Sequence, residues 1–86
     1  EVFVAPAGQF GQLLYYYSKY PKILGYLDND KNKQGKRVYG TPFYTFPFEY
    51  IKDIQNPRII LYTRHYTNEI IKQLLSVNPN ASIIKV

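Results

Sequence analysis

The apolar positions of this chain fall into short runs with two different periods. Val2-Phe3-Val4-Ala5 is continuous and carries β-branched and aromatic members, the pattern of a buried strand. A glycine-containing loop follows, Pro6-Ala7-Gly8-Gln9-Phe10-Gly11. The period then changes, because Phe10, Leu13, Leu14 and Tyr17 share one face of a helix. Pro21 ends that helix, since the residue before a proline avoids the α region. Ile23 to Leu27 predict a second strand, and Asp28-Asn29-Asp30-Lys31-Asn32-Lys33-Gln34-Gly35-Lys36 a polar surface loop. Val38-Tyr39-Gly40-Thr41-Pro42 is read as a short extended piece, the third strand, ending in a turn. Pro47 suits the first turn of a short helix carrying Phe48, Ile51 and Ile54, and Asn56-Pro57 is a turn. Arg58-Ile59-Ile60-Leu61-Tyr62 is the most strand-like run. Thr67 suits a helix N-cap, with Glu69 placed favourably in the first turn of the helix dipole. Ile70, Ile71, Leu74 and Leu75 give an apolar stripe, Asn78-Pro79-Asn80 closes the helix, and Ser82 to Val86 form a last strand.

Strands that read as continuous apolar runs and alternate with helices imply a mostly parallel sheet covered on both faces. The expected fold is a small doubly wound, Rossmann-like α/β sheet of five strands in the order 3-2-1-4-5, with helices on both faces. It occupies residues 1–86 as one domain. The chain has no Met and starts and ends within apolar runs, so a domain taken from a longer protein is the expectation.

Composition narrows the chemistry. Apolar residues make up 45% and charged residues 20%, which excludes a disordered tail. There is no Cys, hence no disulfide framework, no thiolate metal site and no thiol nucleophile. No apolar run approaches the roughly 18 residues of a membrane span, and no basic n-region marks a signal peptide. A cytoplasmic location is expected. The 11 Lys+Arg against 6 Asp+Glu give a net charge of +5. Lys31, Lys33, Lys36 and Arg37 cluster, but Asp28 and Asp30 lie among them, and the aromatics follow helix and strand periods rather than a stacking platform. Nucleic acid is therefore disfavoured, and the charge suits solubility or an anionic phosphate ligand. Ten Tyr and five Phe make the chain 17% aromatic. Tyr15, Tyr16, Tyr17 and Tyr20 crowd one predicted helix, and not all can face the core, which leaves a tyrosine surface for self-association.

In an open parallel sheet, ligands bind beyond the carboxyl ends of the strands, where the strand order reverses. That place is the loop after the first strand. It reads Pro6-x-Gly8-x-x-Gly11, the second and third glycines of a dinucleotide fingerprint in the right context. Gly8 lets backbone approach a phosphate, and Gly11 lets a helix pack closely on the sheet. Asp28 lies 20 residues past Gly8, where an acidic side chain accepts from ribose hydroxyls. Pro6 departs from the fingerprint, because it supplies no N–H. The same glycines also suit a purely structural strand-to-helix turn.

With Val4 to Gln12, Ile23-Leu24-Gly25-Tyr26-Leu27-Asp28-Asn29-Asp30 and Lys33-Gln34-Gly35-Lys36-Arg37-Val38-Tyr39-Gly40-Thr41-Pro42, the chain resembles a Rossmann-like accessory domain. Such domains belong to bacterial-type nucleotide-sugar and polysaccharide enzymes. It is similar to the N-terminal domain of sugar acyltransferases of the sialic-acid and bacillosamine type, and to domains attached to sugar methyltransferases and glycosyltransferases. The resemblance implies a nucleotide-sugar ligand, UDP-linked amino sugars above all, and a catalytic domain on the same parent chain. It implies that Gly8, Gln9, Phe10 and Gly11 line the diphosphate. Asp28, Asn29 and Asp30 would sit near the ribose or base, and Lys36 with Gly40 would order the adjoining loop.

Arg64, beside the lone His65 after the fourth strand, is a further candidate phosphate contact. One His without carboxylate or thiolate partners is no metal site, and no nucleophile elbow is present, so no catalytic residue is assigned. A full dinucleotide fold uses about six strands, so NAD is not the expected ligand. Two functions fit the sequence: a nucleotide-sugar-binding domain of a larger carbohydrate enzyme, and a degenerate module that packs or oligomerises without ligand.

Overall fold

The computed structural model describes residues 1–8, 22–63 and 67–85. Five strands form one all-parallel sheet: β1 (Val2–Ala5), β2 (Ile23–Leu27), β3 (Thr45–Phe46), β4 (Arg58–Leu61) and β5 (Ser82–Lys85). Their order is β3-β2-β1-β4-β5, as the pattern of apolar runs predicts. The order reverses between β1 and β4, which places the switch point at the carboxyl ends of those two strands. A 3₁₀ turn (Phe48–Ile51) and one α-helix, α1 (Thr67–Val77), complete the described elements. The predicted helix beginning near Phe10 lies outside the described residues.

Strand alternation divides the core in two. Phe3, Ala5, Leu27, Ile59 and Leu61 face the 3₁₀ turn and α1, where Phe48, Ile51 and Leu74 are buried against them. Val2, Val4, Ile23, Tyr26 and Ile60 point to the opposite face, which Val38 joins from the β2–β3 connection. Each central strand is thus apolar on both sides, as a doubly covered parallel sheet requires.

One residue breaks the alternation. Val2 pairs with Ile23, but Phe3 pairs with Gly25, so Leu24 is an extra residue in β2. This bulge turns Leu24 outward, where it is exposed, and keeps Ile23 and Tyr26 on the same face. Gly25 then lies under the Phe46 ring. A Cβ at Gly25 would stand 2.7 Å from a Phe46 ring carbon. Phe46 stacks on Tyr50 with ring centroids 4.1 Å apart, and Tyr50 meets Phe3 edge-on at 6.0 Å.

The third strand corrects the expectation. Val38 to Pro42 is not extended: Val38 carbonyl accepts from both the Thr41 N–H at 3.0 Å and the Thr41 hydroxyl at 2.9 Å, which closes a turn. The strand comes later, at Thr45–Phe46, paired with Tyr26 and Leu27. In α1 the core-facing stripe runs through the buried Leu74 and the half-buried Ile70, Ile71 and Val77, while Leu75 lies one step round the helix and is exposed. Asn78 closes α1 by donating its N–H to the Leu74 carbonyl at 2.9 Å. Its buried side chain reaches further, donating to the carbonyls of Ile51 and Ile54, each at 2.8 Å, and accepting from the Asn80 N–H at 3.0 Å. One amide therefore fastens the end of α1 to the 3₁₀ turn.

Candidate functional site

Asp28 is the first residue after β2 and is 8% exposed. A carboxylate this buried must be satisfied, and its partners organise the carboxyl end of the sheet. Oδ2 accepts from the Ala7 N–H at 3.0 Å, and Oδ1 accepts from the Asp30 N–H at 2.9 Å in an Asx turn. Lys33 Nζ lies 3.7 Å from Oδ2. The Asp28 backbone is held as well, its N–H on the Phe46 carbonyl at 3.0 Å and its carbonyl taking the Gln34 amide at 2.9 Å. The residue predicted to accept from ribose thus ties the turn after β1 to the loop after β2. A carboxylate offers about four lone-pair sites, and two are taken by these N–H groups.

The loop after β2 is built by its own short polar side chains. Asp30 Oδ1 accepts from the Asn32 N–H at 2.9 Å, and the Asp30 carbonyl accepts from the N–H groups of Lys33 and Gln34. The chain then runs back antiparallel to the approach to β3: Gly35 N–H meets the Thr45 carbonyl, Thr45 N–H the Lys36 carbonyl, and Val38 N–H the Phe43 carbonyl. Arg37 forms a bridge with Tyr44, and its guanidinium lies 5.7 Å from that ring centroid. Lys36 and Arg37 are therefore carried on fixed backbone rather than on a free loop.

A cleft of about 320 Å³ lies between this loop and the turn after β1. Ala7 and Gly8 form one wall, and Asn32, Lys33, Lys36, Arg37, Val38, Tyr39 and Thr45 the rest. Three cations border it with no carboxylate among the lining residues. Among the described residues Gly8 has no local need for glycine: its backbone is not in the left-handed region, and a Cβ built on it meets none of their atoms within 4 Å. Its bare backbone borders open space beside the cations.

A second cleft of about 250 Å³ opens on the α1 side of the same turn, lined by Pro6, Asp28, Asn29, Phe48, Glu69, Ile70 and Gln73. Asn29 donates its side-chain N–H to the Gln73 Oε1 across it. With Asp28 and Glu69 on its walls, it opposes phosphate and offers acceptors to hydroxyls. The Ala5–Pro6 peptide bond between the two clefts is cis.

The sequence candidates are therefore divided. Gly8 and Lys36 share the basic cleft, Asp28 and Asn29 border the second one, and Asp30 holds the intervening turn. Gln9, Phe10, Gly11 and Arg64 lie outside the described residues. Lys33 and Arg37 stand in the sequence within a basic cluster and within the stretch that carries the resemblance, without a site role; the signal that joins them to Lys36 is their spacing around Gly35. Tyr39 carried no signal of its own. Among the described residues no group of three His, Cys, Asp or Glu is placed to hold a metal ion, and no helix is long and apolar enough to cross a membrane. The chain matches no protein-family model, and comparison with curated proteins gives no match.

Proposed function

We propose that this chain is a nucleotide-sugar-binding module that serves a larger carbohydrate-modifying enzyme and performs no chemistry itself. The observation that carries this proposal is the bare Gly8 backbone facing a cleft bordered by Lys33, Lys36 and Arg37. Cations on fixed backbone attract a diphosphate, and a residue without a side chain lets it come close. The cleft lies at the turn after β1, on its β2–β3 side and next to the switch point between β1 and β4. Its volume, about 320 Å³, stands at the low end of the range for small-molecule sites, about 300–1,000 Å³, which suits one nucleotide better than two. The second cleft, with Asp28, Asn29 and Gln73, supplies hydrogen-bonding groups for sugar hydroxyls.

The structural alternative, a module kept for packing or self-association, draws on the engagement of Asp28 in holding the loops together. Calorimetric titration of UDP, UDP-N-acetylglucosamine and NAD separates the two. Binding of the UDP ligands ahead of NAD is expected, with amide shifts at Gly8, Asp28 and Lys36. Lys36→Ala should weaken the diphosphate several-fold, and more so at low salt. Gly8→Val should keep the fold, because no atom of the described residues stands within 4 Å of a Cβ built there, and lose affinity. A flat titration with every nucleotide sinks the binding function.

A further inference from the structure

Tyr39 is 87% exposed, the most open large hydrophobic side chain among the described residues. Single exposed aromatics are common on protein surfaces, but this one occupies a defined place. Arg37, two residues earlier, lines the same cleft, and Tyr39 stands at its edge. The turn that carries it is fixed from both sides. Val38 is buried in the sheet-face cluster, and its carbonyl accepts from the N–H and the hydroxyl of Thr41. Gly40 takes φ +78°, a left-handed conformation that other residues enter at a cost. The Tyr39 backbone is thereby held in place while its ring stays in water.

We infer that Tyr39 is the stacking platform for the base of a nucleoside diphosphate whose phosphates lie on Lys33, Lys36 and Arg37. This rests on the nucleotide-binding function proposed above and adds the residue that distinguishes a nucleotide from any other diphosphate. A base laid on an exposed ring removes two apolar faces from water at once, and such stacks are lost roughly 5- to 150-fold in affinity on alanine substitution. The polar Tyr hydroxyl contributes nothing to the stack, so Phe should replace it.

The test compares UDP with inorganic pyrophosphate on the whole chain and on its Tyr39→Ala and Tyr39→Phe variants, by calorimetry and by NMR of the tyrosine ring protons. Pyrophosphate carries at least as much charge as UDP, so tighter binding of UDP reports the nucleoside. Expected are UDP binding roughly tenfold tighter than pyrophosphate in the wild type, loss of that difference in Tyr39→Ala with pyrophosphate unchanged, and its retention in Tyr39→Phe. If pyrophosphate and UDP bind equally, or Tyr39→Ala leaves UDP unchanged, the stacking role is overturned while diphosphate binding stands, provided Lys36→Ala weakens both ligands. If neither ligand binds, both proposals fall together.

Discussion

Replacing Asn78 by alanine should cost the chain about 2–3 kcal/mol. Asn78 is 5% exposed, and its amide donates both hydrogens, to the Ile51 and Ile54 carbonyls at 2.8 Å each. Its oxygen accepts from Asn80 N–H at 3.0 Å. Each net hydrogen bond contributes about 1 kcal/mol, and a buried acceptor left alone costs about 1–3 kcal/mol. The three bonds do not count alike. The Ile51 carbonyl retains the Ile54 N–H at 3.2 Å, and Asn80 is exposed, so water replaces the third bond. The loss therefore comes from the two donated bonds and from the part-buried Ile54 carbonyl. For a domain of this size about 2–3 kcal/mol corresponds to a fall in Tm of roughly 10–20 °C. Urea unfolding followed by circular dichroism measures it, with an unchanged m-value showing that the denatured state is the same. Asn78→Asp sharpens the test. It is nearly isosteric but supplies a carboxylate in place of the two donors, directly against two carbonyl oxygens. It should be worse than alanine at neutral pH and should recover in part as pH falls and the carboxyl protonates. Asn80→Ala, at the exposed end of the turn, should stay within about 0.5 kcal/mol. A loss below about 0.5 kcal/mol for Asn78→Ala, or an aspartate variant as stable as wild type, would refute the account of this joint.

Two further outcomes follow from close contacts. Gly25→Ala should destabilise by about 1–2 kcal/mol despite the gain in backbone rigidity, because its Cβ would meet the Phe46 ring at 2.7 Å. In a Phe46→Leu background most of that cost should vanish, and a double-mutant cycle in urea that shows additive effects removes the steric explanation. Asp28→Asn should cost about 1–3 kcal/mol, since the amide turns an N–H toward either the Ala7 or the Asp30 N–H. Hydrogen exchange at Ala7 and Asp30 should then rise ahead of exchange in β4, and equal protection at both amides would mean the carboxylate is not what holds them.

Much of the sheet is readable from the chain because its central strands carry unbroken apolar runs, Val2-Phe3-Val4-Ala5 in β1 and Ile59-Ile60-Leu61 in β4. Val2, Val4 and Phe3, Ala5 divide between two faces by alternation alone, and Ile59 to Leu61 follow the same rule. What escapes is whatever depends on contacts made later in the fold. Leu24 reads as one more apolar strand residue, and only the pairing of Phe3 with Gly25 shows it to be a bulge. Val38 to Pro42 has β-branched and aromatic members, yet the Thr41 hydroxyl and the left-handed Gly40 make it a turn. The strand it displaces is two residues long, too short to show a period. Asn78 reads as helix punctuation, which it is, while its larger role depends on carbonyls 27 and 24 residues away.

The site shows the same division, and Asp28 explains why its structural role does not compete with the binding role proposed for the cleft. A buried carboxylate between two segments is costly unless N–H groups and a cation meet it. Here the N–H comes from the turn that carries Gly8, and the cation, Lys33, from the loop that carries Lys36 and Arg37. The two walls of the basic cleft are therefore held at a fixed separation by one side chain that does not itself line it. Asp28 also lowers the charge that Lys33 presents, so Lys36 and Arg37 are left as the stronger attractors for an anion. An acidic residue after β2 was expected to act by touching the ligand. In this geometry its first effect is on position, and a hydroxyl would reach it only from the second cleft, across the turn from the basic one. A ligand that uses both clefts must then straddle Pro6 and Ala7, which favours an extended molecule with a charged middle and a polyhydroxyl end over a compact anion.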